Sequence, residues 1–555
     1  MFHGAQRPPA TPGGLPCAAV AVPASYVAAR WSAAVLLLLL GACSVNPVPI
    51  TAQDMLATAR EDRRVSMADM LPVTGKLTLP EAVARALKYN LDHRVAMFEQ
   101  ALAAGQYAAG QFDLLPKLLV NAGYSSRDAD LTRFATDSVT GAPSLSNPFI
   151  SSDRRHSVTD IGFSWNLLDF GASYYSSKQQ ADRVLIAAER RRKTMLTLIR
   201  NVRVAYWKAM AAQKLRDEVK STIADAEAGL AASKRIENER VKAPVEALRY
   251  QRTLLENIRL LENVERELAL ARIDLSGLIG LAQGSEYTLA EPSGEFAALS
   301  PTILPIEVME EMALSGNADL REQFYNARIA VAETRRTLLR LLPGLSFDYG
   351  SKRDNDSYLI HEQWNEAGMR VTFNLFNLLS GPSQMSAAEK GVALAEQRRM
   401  ALQMTVLTQV HVARQLYDNA LVELRRADAI SSVDLKLAEF ARSQKLAQTG
   451  SVLDSVSATT SSILSLLRRY QTMARAQEAA STLQATLGIE PEIRSLDEIG
   501  LPELSLSIER FLARGIGPVA AAGAAPGLRL QLTAANEMTI ERSALVPPAL
   551  IPHEQ

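Results

Sequence analysis

The sequence contains the same succession of patterns twice, and this duplication limits the possible folds more than any other feature. Each copy begins with an amphipathic helical stretch that ends at a Leu-Pro pair, Leu115-Pro116 in the first copy and Leu342-Pro343 in the second. Proline terminates a helix and favours an extended conformation in the residue before it. We therefore expect a helix followed by a strand in both copies. The first helix is predicted from Ala82 to Phe112, behind a capping box at Thr78-Leu79-Pro80-Glu81, and the second from Val308 to Leu341.

After each proline the apolar residues recur at every second position. The four alternating segments are Leu118–Tyr124, Ile161–Leu167, Leu345–Tyr349 and Met369–Leu375. A period of two predicts strands with one apolar and one polar face. Strands of roughly 9–11 residues have the length that a tilted strand needs to cross a bilayer. A half-buried soluble hairpin would alternate in the same way, so the pattern alone leaves both alternatives open.

Each predicted hairpin is followed by two long helices. Apolar residues three or four positions apart run from Lys178 to Glu237 and from Val406 to Ala427, and return helices are predicted from Leu248 to Leu278 and from Asp454 to Leu487. This spacing is close to that of a coiled coil. A helix of ~55–60 residues would be ~85 Å long. The sequence thus predicts two long helical hairpins.

The turns of these hairpins are visible in the sequence. The first lies at Arg240-Val241-Lys242-Ala243-Pro244-Val245-Glu246, where Pro244 suits the first turn of the return helix. The second lies at Gln448-Thr449-Gly450-Ser451-Val452-Leu453-Asp454, where we expect Gly450 to supply the flexible corner.

The N-terminus carries the features of an export signal. Arg7 and Arg30 precede a short apolar stretch, which is followed by Leu40-Gly41-Ala42-Cys43. The stretch is too short to span a membrane, as is typical of a signal peptide. The tetrapeptide resembles the bacterial lipobox, in which the chain is cut before a cysteine that is then acylated, for example with palmitate. We therefore predict lipidation at Cys43, and Ser44 fits the outer-membrane sorting of such lipoproteins. A plain signal peptide with an incidental cysteine is the alternative.

Composition excludes several classes of protein. The 60 Lys and Arg residues balance the 60 Asp and Glu residues, which argues against a nucleic-acid partner. The two cysteines and six histidines do not have the spacing of metal ligands, and the sequence contains no catalytic motif. We therefore expect that the protein binds no metal or cofactor and is not an enzyme. The basic run Arg190-Arg191-Arg192-Lys193 is interpreted as a solvated helix face.

Four strands cannot close a membrane barrel, since the smallest have about eight. An open sheet cannot lie in lipid, because the amides at its edges would be unsatisfied. If the strands span a membrane, several chains must share one wall.

Over about residues 77–490 the chain resembles the TolC-like outer-membrane factor family. The matching motifs are Leu77-Thr78-Leu79-Pro80-Glu81-Ala82 with Asn90, both Leu-Pro strand starts, Trp165-Asn166-Leu167-Leu168-Asp169-Phe170-Gly171, Phe373-Asn374-Leu375-Phe376, and Gly450 followed by Ala458-Thr459-Thr460. The resemblance implies a mainly α fold with a small β part. Three protomers would share a 12-stranded β-barrel, four strands from each, joined to a periplasmic α-helical barrel.

The resemblance also implies the function, the partners and the site residues. The protein would be the passive outer-membrane channel of a tripartite efflux pump or type I secretion system, working with a periplasmic adaptor (membrane fusion protein) and an inner-membrane transporter. The expected adaptor contacts are Arg240, Val241, Lys242, Ala243, Pro244, Gly450, Ser451, Val452 and Leu453. In the family, two acidic positions just after the second tip constrict the mouth of the tunnel. Asp454 matches the first and is the expected aperture gate, while the second is Ser457 here. Capping of the helix by Asp454 is the alternative.

The predicted organisation follows the duplication. It comprises a signal peptide (1–42), a lipidated linker (43–76), a first repeat (77–285), a linker (286–305), a second repeat (306–490) and a partly disordered C-terminal extension (491–555). A rival function is a non-pore periplasmic coiled-coil lipoprotein, acting as a spacer or adaptor. It would need the same helices, but its hairpins would be soluble.

Overall fold

The computed structural model describes residues 49–68, 70–143, 148–238, 244–282, 284–291, 299, 304–493, 496 and 498–516. The predicted signal peptide and Cys43 lie outside these residues, as do Arg240, Val241, Lys242 and Ala243. The chain divides into two compact units, one up to Met70 and one from Leu71 onwards. In the first unit, the described residues form helix α1 (Ala52–Ala68), which buries no side chain and was not predicted.

The second unit contains the two repeats. Its helices are α2 (Leu79–Tyr89), α3 (Leu91–Gln111), α4 (Leu167–Asn238), α5 (Pro244–Leu278), α6 (Ile306–Gly316), α7 (Ala318–Arg340), α8 (Phe376–Leu446), α9 (Val452–Leu487) and α10 (Leu501–Arg514). Its strands are β1 (Lys76–Leu77), β2 (Lys117–Ser126), β3 (Thr132–Arg133), β4 (Phe149–Ile150), β5 (Arg155–Asn166), β6 (Thr288–Leu289), β7 (Gly344–Asp354) and β8 (Gln363–Thr372). Among the described helices, none combines the length and apolar composition that a membrane crossing requires.

The first helix of each repeat is interrupted, so the prediction of one helix per repeat was wrong. Asn90 separates α2 from α3, and Asn317 separates α6 from α7. Both asparagines adopt an extended conformation, and each caps the following helix through its side chain. Asparagine is a favoured N-cap because its side-chain oxygen satisfies an amide that the first turn leaves free.

Four long strands form one antiparallel sheet in the order β2-β5-β7-β8, as the alternating pattern predicted. The central pair β5 and β7 joins the two repeats, with Gly162 opposite Gly350. A Cβ atom on Gly162 would lie 2.8 Å from the carbonyl oxygen of Tyr349, so only glycine allows this approach. Strands β2 and β8 form the two edges of the sheet.

The longest helices begin where the strands end. Helix α4 has 72 residues and α8 has 71, more than the predicted length. At the start of α4, the side-chain oxygen of Asn166 accepts a hydrogen bond from the amide of Leu168 at 2.9 Å. Asn374 accepts one from the amide of Phe376 at 3.1 Å. Helix α4 therefore follows β5 directly, whereas three residues separate β8 from α8, and each helix is about 105 Å long.

The helices pack in a fixed order. Helix α3 packs on α4, α4 on α7, and α7 on α8. The return helices α5 and α9 pack on α4 and α8, and α9 also contacts α4. The main core follows these contacts, with Tyr206 as a large fully buried residue. Its hydroxyl donates to the carbonyl oxygen of Leu77 at 2.9 Å and so ties α4 to β1.

The C-terminal extension includes an unpredicted packed helix. Helix α10 buries Leu501, Leu504, Ile508 and Phe511 and packs on α2. The ammonium group of Lys88 in α2 donates to the carbonyl oxygen of Ile499 at 3.1 Å, just before α10. The extension thus contains a packed helix, and the predicted tail beyond Ile516 lies outside the described residues.

The interpretation of the basic run as a solvated face was wrong for Arg192, whose side chain is 12% exposed. It forms an ion pair with Glu490 at 2.7 Å and donates to the carbonyl oxygens of Gly316 and Gly488 at 2.8 and 2.6 Å. Those carbonyls lie at the ends of α6 and α9. A guanidinium has enough donors to satisfy two helix ends at once, which explains its burial.

Candidate functional site

Two regions carry the features that the sequence singled out. The first is the four-stranded sheet. The second, called the hairpin tip below, is the turn from Gln444 to Asp454 that joins α8 to α9.

One face of the sheet is apolar and exposed. It carries Leu118 and Val120 of β2, Ile161 and Phe163 of β5, Phe347 and Tyr349 of β7, and Met369 and Val371 of β8. The register confirms a shared face, because Leu118 lies opposite Phe163 and Phe163 opposite Tyr349. Leu118 and Met369 are 71% and 69% exposed. A continuous apolar surface of this kind marks contact with lipid or with another protein.

The opposite face of the sheet is mainly polar. Asn121 donates to the Asp160 carboxylate at 2.9 Å, and Lys352 forms an ion pair with Glu366 at 2.6 Å. The sheet therefore separates an apolar surface from a hydrophilic one.

The hairpin tip has an unexpected corner. Gln448 has a φ of 58°, a left-handed conformation that is uncommon for a residue other than glycine. Gly450 is required for a different reason, because a Cβ atom there would lie 2.9 Å from the Cβ of Gln444. The backbone amide of Gly450 donates to the carbonyl oxygen of Gln444 at 3.1 Å. Gly450 thus lies in the turn, and close packing against Gln444 is the reason that glycine is required there.

Asp454 lies in the first turn of α9 and is exposed. The Ser451 hydroxyl accepts a hydrogen bond from the Asp454 amide at 3.1 Å and donates to the Asp454 carboxylate at 2.8 Å. This is a reciprocal cap, and the N-terminal end of a helix also favours a negative charge. The carboxylate is held at the tip in a defined position.

The hairpin tip packs on the first repeat through a small apolar cluster. Val452 and Leu453 contact a group formed by Ala226, Leu254, Ile258 and Val456, which Tyr250 also contacts. The pKa of Tyr250 is raised, chiefly by burial and also by the charge of Asp454, while a hydrogen bond with the backbone of Leu453 acts in the opposite direction. Tyr250 therefore joins the first hairpin to the residues around the expected gate.

Two ion pairs extend this contact along α8. Lys445 pairs with Asp225 at 2.8 Å, and Arg442 pairs with Glu218 at 3.1 Å. Both pairs connect α8 of the second repeat to α4 of the first. Partly exposed pairs contribute only about 0.2–1 kcal/mol each, so they are compatible with movement.

Of the predicted site residues, the structure brings Gly450, Ser451, Val452, Leu453 and Asp454 together in one tip. Pro244 is the first residue of α5. Tyr250, Asp225 and Glu218 belong to the same region but were not predicted. Their relation to the tip depends on the packing of two hairpins, for which the local sequence gives no signal. Among the described residues, no group of His, Cys, Asp and Glu is arranged to hold a metal ion.

Comparison with known proteins agrees with this arrangement. Residues 82–281 match the sequence model of the family described as outer membrane efflux protein. No curated protein sequence matches the chain.

Solved structures of outer-membrane channels share the fold. The Campylobacter jejuni CmeC outer membrane channel is 12% identical over 84% of this chain and 97% of its own, with a TM-score of 0.60. The Neisseria gonorrhoeae MtrE outer membrane channel, in its open state, is 17% identical over 74% and 89%, with a TM-score of 0.54. A Pseudomonas aeruginosa membrane protein is 15% identical over 74% and 90%, with a TM-score of 0.58.

At these identities the solved structures establish the fold that this chain shares with outer-membrane channels, and residues 82–281 are similar in sequence to the outer membrane efflux protein family.

Proposed function

We propose that this protein is one protomer of a passive trimeric duct that crosses the outer membrane and exports substrate received from an inner-membrane transporter. The observation that carries this proposal is the sheet, which has an exposed apolar face and two edges without a partner strand in the described part of the chain. Such edges cannot remain open in lipid. Three copies with four strands each would form a closed wall of twelve strands.

The two faces of the sheet then have different surroundings. The apolar side chains would contact lipid, and the polar face with Asn121, Asp160, Lys352 and Glu366 would line the passage. The long helices would continue the passage into the periplasm. The chain contains no recognisable nucleotide-binding motif, so the energy for export would come from the inner-membrane partner.

A lipid anchor at Cys43 would add a second membrane attachment. Labelling with a palmitate analogue should mark the wild-type protein but not the Cys43→Ala variant. Equal labelling of both proteins would exclude acylation at this cysteine.

The tips of the hairpins would contact the periplasmic adaptor. On the first tip the proposed contacts are Arg240, Val241, Lys242, Ala243 and Pro244, and on the second they are Gly450, Ser451, Val452 and Leu453. Charge reversal at Lys242 should weaken adaptor capture more than charge reversal at Lys436, which lies on α8 away from the tip.

We further infer that Asp454 restricts the passage. Three carboxylates around one axis would attract cations and repel anions. Opening would require the second hairpin to move relative to the first, which breaks the Lys445–Asp225 pair and separates Leu453 from Tyr250. This is a shear of packed helices, and each contact to be broken is weak.

Conductance in planar bilayers tests the duct. Protein extracted in detergent should be trimeric and should give small, trimer-dependent channels. Label applied outside intact cells should react with a cysteine in the loop from Arg127 to Ser157. A water-soluble monomer without conductance would instead favour the periplasmic spacer or adaptor.

Two variants separate the charge of Asp454 from its capping role. Asp454→Asn keeps a side chain that can bond to Ser451 but removes the charge, so cation selectivity should fall while thermal stability changes little. Ser451→Ala keeps the charge and removes the cap, at a cost of about 1 kcal/mol. Unchanged selectivity in Asp454→Asn would exclude the gate assignment.

A further inference from the structure

The apolar face of the sheet continues onto the first turns of α4. Trp165 belongs to this face, since it lies opposite Phe347 in the register. Its ring makes an edge contact with Phe170 at the start of α4, with ring centroids 5.7 Å apart. Tyr174 and Lys178 follow at intervals of four residues, so they lie on the same side of the helix as Phe170. This side therefore changes from apolar to aromatic to basic with increasing distance from the sheet.

We propose that the end of this gradient binds the headgroup of an anionic phospholipid in the periplasmic leaflet of the outer membrane. The site comprises Tyr174, Tyr175 and Lys178, called the tyrosine–lysine cluster below, together with Arg335 of α7. The inference rests on the proposed duct, which places the apolar face of the sheet in lipid.

The tyrosine–lysine cluster is compact. The two tyrosine rings meet edge to face with centroids 5.4 Å apart, and the Lys178 ammonium lies 4.7 Å from the centroid of Tyr174 and 6.0 Å from that of Tyr175. Side chains of a helix lean towards its N-terminus. Because α4 begins at the sheet, Lys178 directs its charge back towards the membrane. An ammonium group has three donors, so its contact with a ring leaves donors free for a phosphate.

An ion pair within α4 is the alternative role for Lys178. Asp182 is four residues further along the helix, at the spacing of such pairs. However, Asp182 is 4% exposed and already pairs with Arg328 of α7, whereas Lys178 is exposed. The ammonium also lies over Tyr174, one turn closer to the sheet, and Asp182 is one turn further away. The charge of Lys178 is therefore available to a partner at the level of the membrane surface.

The depth of the cluster matches the polar zone of one leaflet. At 1.5 Å per residue, Tyr174 lies about 6 Å further along α4 than Phe170. A bilayer is about 40–45 Å thick around a hydrocarbon core of about 30 Å, so each polar zone measures roughly 5–8 Å. With Phe170 at the edge of the hydrocarbon, Tyr174 and the ammonium over its ring lie among the headgroups. Tyrosine is enriched at that level, and lysine reaches it by extending along apolar surface.

Helix α7 brings a second cation to the same level. A Cβ atom on Gly171 would lie 2.9 Å from Cδ1 of Leu339, so these two residues face each other across the contact between α4 and α7. Helix α7 runs towards the sheet and α4 runs away from it. Tyr175 and Arg335 therefore follow on the same two sides, each one turn further from the sheet. Arg335 is exposed. A guanidinium can bind a phosphate through two parallel hydrogen bonds, which complements the point charge of Lys178.

The position of α4 argues against a neighbouring copy as the occupant of the site. Helix α4 packs on α3 and on α7 of its own chain, so it is not an outermost helix of the protomer. The second repeat does not repeat the cluster. Counted from Asn374, which corresponds to Asn166, the three matching residues are Pro382, Ser383 and Ser386. A trimer would therefore bind three such lipids.

Lipid titrations of the full-length protein purified in detergent test the site. The probes are phosphatidylglycerol, which is anionic, phosphatidylcholine, which has a phosphate but no net charge, and glycerol 3-phosphate, which has no acyl chains. Phosphatidylglycerol should raise the thermal unfolding midpoint at a concentration at least about fivefold lower than phosphatidylcholine. Glycerol 3-phosphate should not raise the midpoint. Native mass spectrometry should detect up to three tightly bound phosphatidylglycerol molecules per trimer.

Two variants remove the charges separately. Lys178→Gln and Arg335→Gln should each weaken the binding of phosphatidylglycerol about fivefold, which is the effect of one basic residue near an anionic membrane surface. Lys208→Gln is the matched control, since Lys208 is also an exposed lysine of α4 but lies about 45 Å further from the sheet. This variant should bind phosphatidylglycerol like the wild-type protein, and all three variants should remain trimeric.

The outcomes separate the site from the duct. If the protein is a conducting trimer but binds both lipids equally, or if either Lys178→Gln or Arg335→Gln retains the affinity of Lys208→Gln, the proposed site is wrong and the duct is unaffected. An equal response to glycerol 3-phosphate would indicate a site for soluble phosphate esters and would exclude the lipid. A water-soluble monomer would refute the duct, and the lipid site with it.

Discussion

Asn90 and Asn317 make the same two hydrogen bonds in the two repeats. The side-chain oxygen of Asn90 accepts from the amide of His93 at 3.2 Å, and its amide donates to the carbonyl oxygen of Leu278 at 3.4 Å. Asn317 accepts from the amide of Leu320 at 3.1 Å and donates to the carbonyl oxygen of Thr486 at 3.2 Å. Each asparagine thus caps a helix and ties it to the end of the return helix.

Replacing either asparagine by alanine should lower stability. Loss of the cap costs about 1 kcal/mol, and the carbonyl left without its donor costs about 1–3 kcal/mol more where it is buried. The effect should be larger for Asn317→Ala, because Asn317 is buried. Asn326→Ala is the control, since Asn326 lies inside α7 and its amide donates to Gln323 of the same helix at 3.4 Å. Thermal unfolding measures the loss of stability in each variant, and equal unfolding midpoints for all three variants would contradict the prediction.

His93 should make stability depend on pH. Burial is the main reason that its pKa is lowered; the hydrogen bond with the Leu87 carbonyl at 2.9 Å opposes the shift, and the charge of Arg191 adds to it. Folding thus favours the neutral ring, while the unfolded chain binds a proton near pH 6.5. Its contribution is complete above that pH and is lost as the pH falls, because the unfolded state then binds more protons.

Unfolding midpoints between about pH 7.5 and 5 measure this effect. The free energy of unfolding should depend less on pH in His93→Gln, by up to about 1.4 kcal/mol per pH unit. His411→Gln, which changes an exposed histidine paired with Glu310 at 2.7 Å, is the matched control. An unchanged slope in His93→Gln would mean that another group dominates.

Arg203 is a buried cation that is bound by amides. Its Nε donates to the side-chain oxygen of Gln477 and its Nη1 to that of Gln484, both at 2.9 Å, and burial lowers its pKa to about 10. Arg203→Met should destabilise the protein by roughly 2–5 kcal/mol, since two buried oxygens lose their donors. Adding Gln477→Leu should recover part of that loss. Denaturant titrations of the single and double variants check this, and strictly additive losses would contradict it.

Alanine substitutions at Gly450 and Gly391 distinguish a steric requirement for glycine from the low helix propensity of glycine. An added Cβ at Gly450 would lie 2.9 Å from Gln444, whereas at Gly391 it would meet nothing within 4 Å. Gly450→Ala should therefore distort the hairpin tip and raise the resting conductance. Gly391→Ala should stabilise α8 by up to about 1 kcal/mol without changing the conductance. Identical currents from both variants would show that the tip tolerates the side chain.

The sequence predicted the parts of the fold that depend on periodicity. Alternation located all four long strands, and three-to-four spacing located the helical hairpins, because both patterns follow from burying one side of an element. The break at Asn90 was missed because its flanking residues continue a helical pattern. The signal was nevertheless present, since Asn90-Leu91-Asp92 and Asn317-Ala318-Asp319 repeat the same Asn-x-Asp order.

Helix α10 was missed for a similar reason. Leu501-Pro502-Glu503 repeats the Leu79-Pro80-Glu81 start of α2, but the rich content of proline, glycine and alanine around it favoured an extension without structure. The contacts of Tyr250 and Asp225 with the tip could not be predicted, because they depend on how two hairpins pack. The same holds for Gln448, whose left-handed backbone is uncommon for glutamine.

The direct passage from β5 into α4 at Asn166 leaves no flexible joint between sheet and rod. A stiff rod of about 105 Å acts as a lever. A tilt of about 5° at its root would carry the far end roughly 9 Å sideways, by the geometry of a rod of that length. In the proposed duct, a partner that bound only the distal end of the rod would therefore move that end while the sheet stayed almost still.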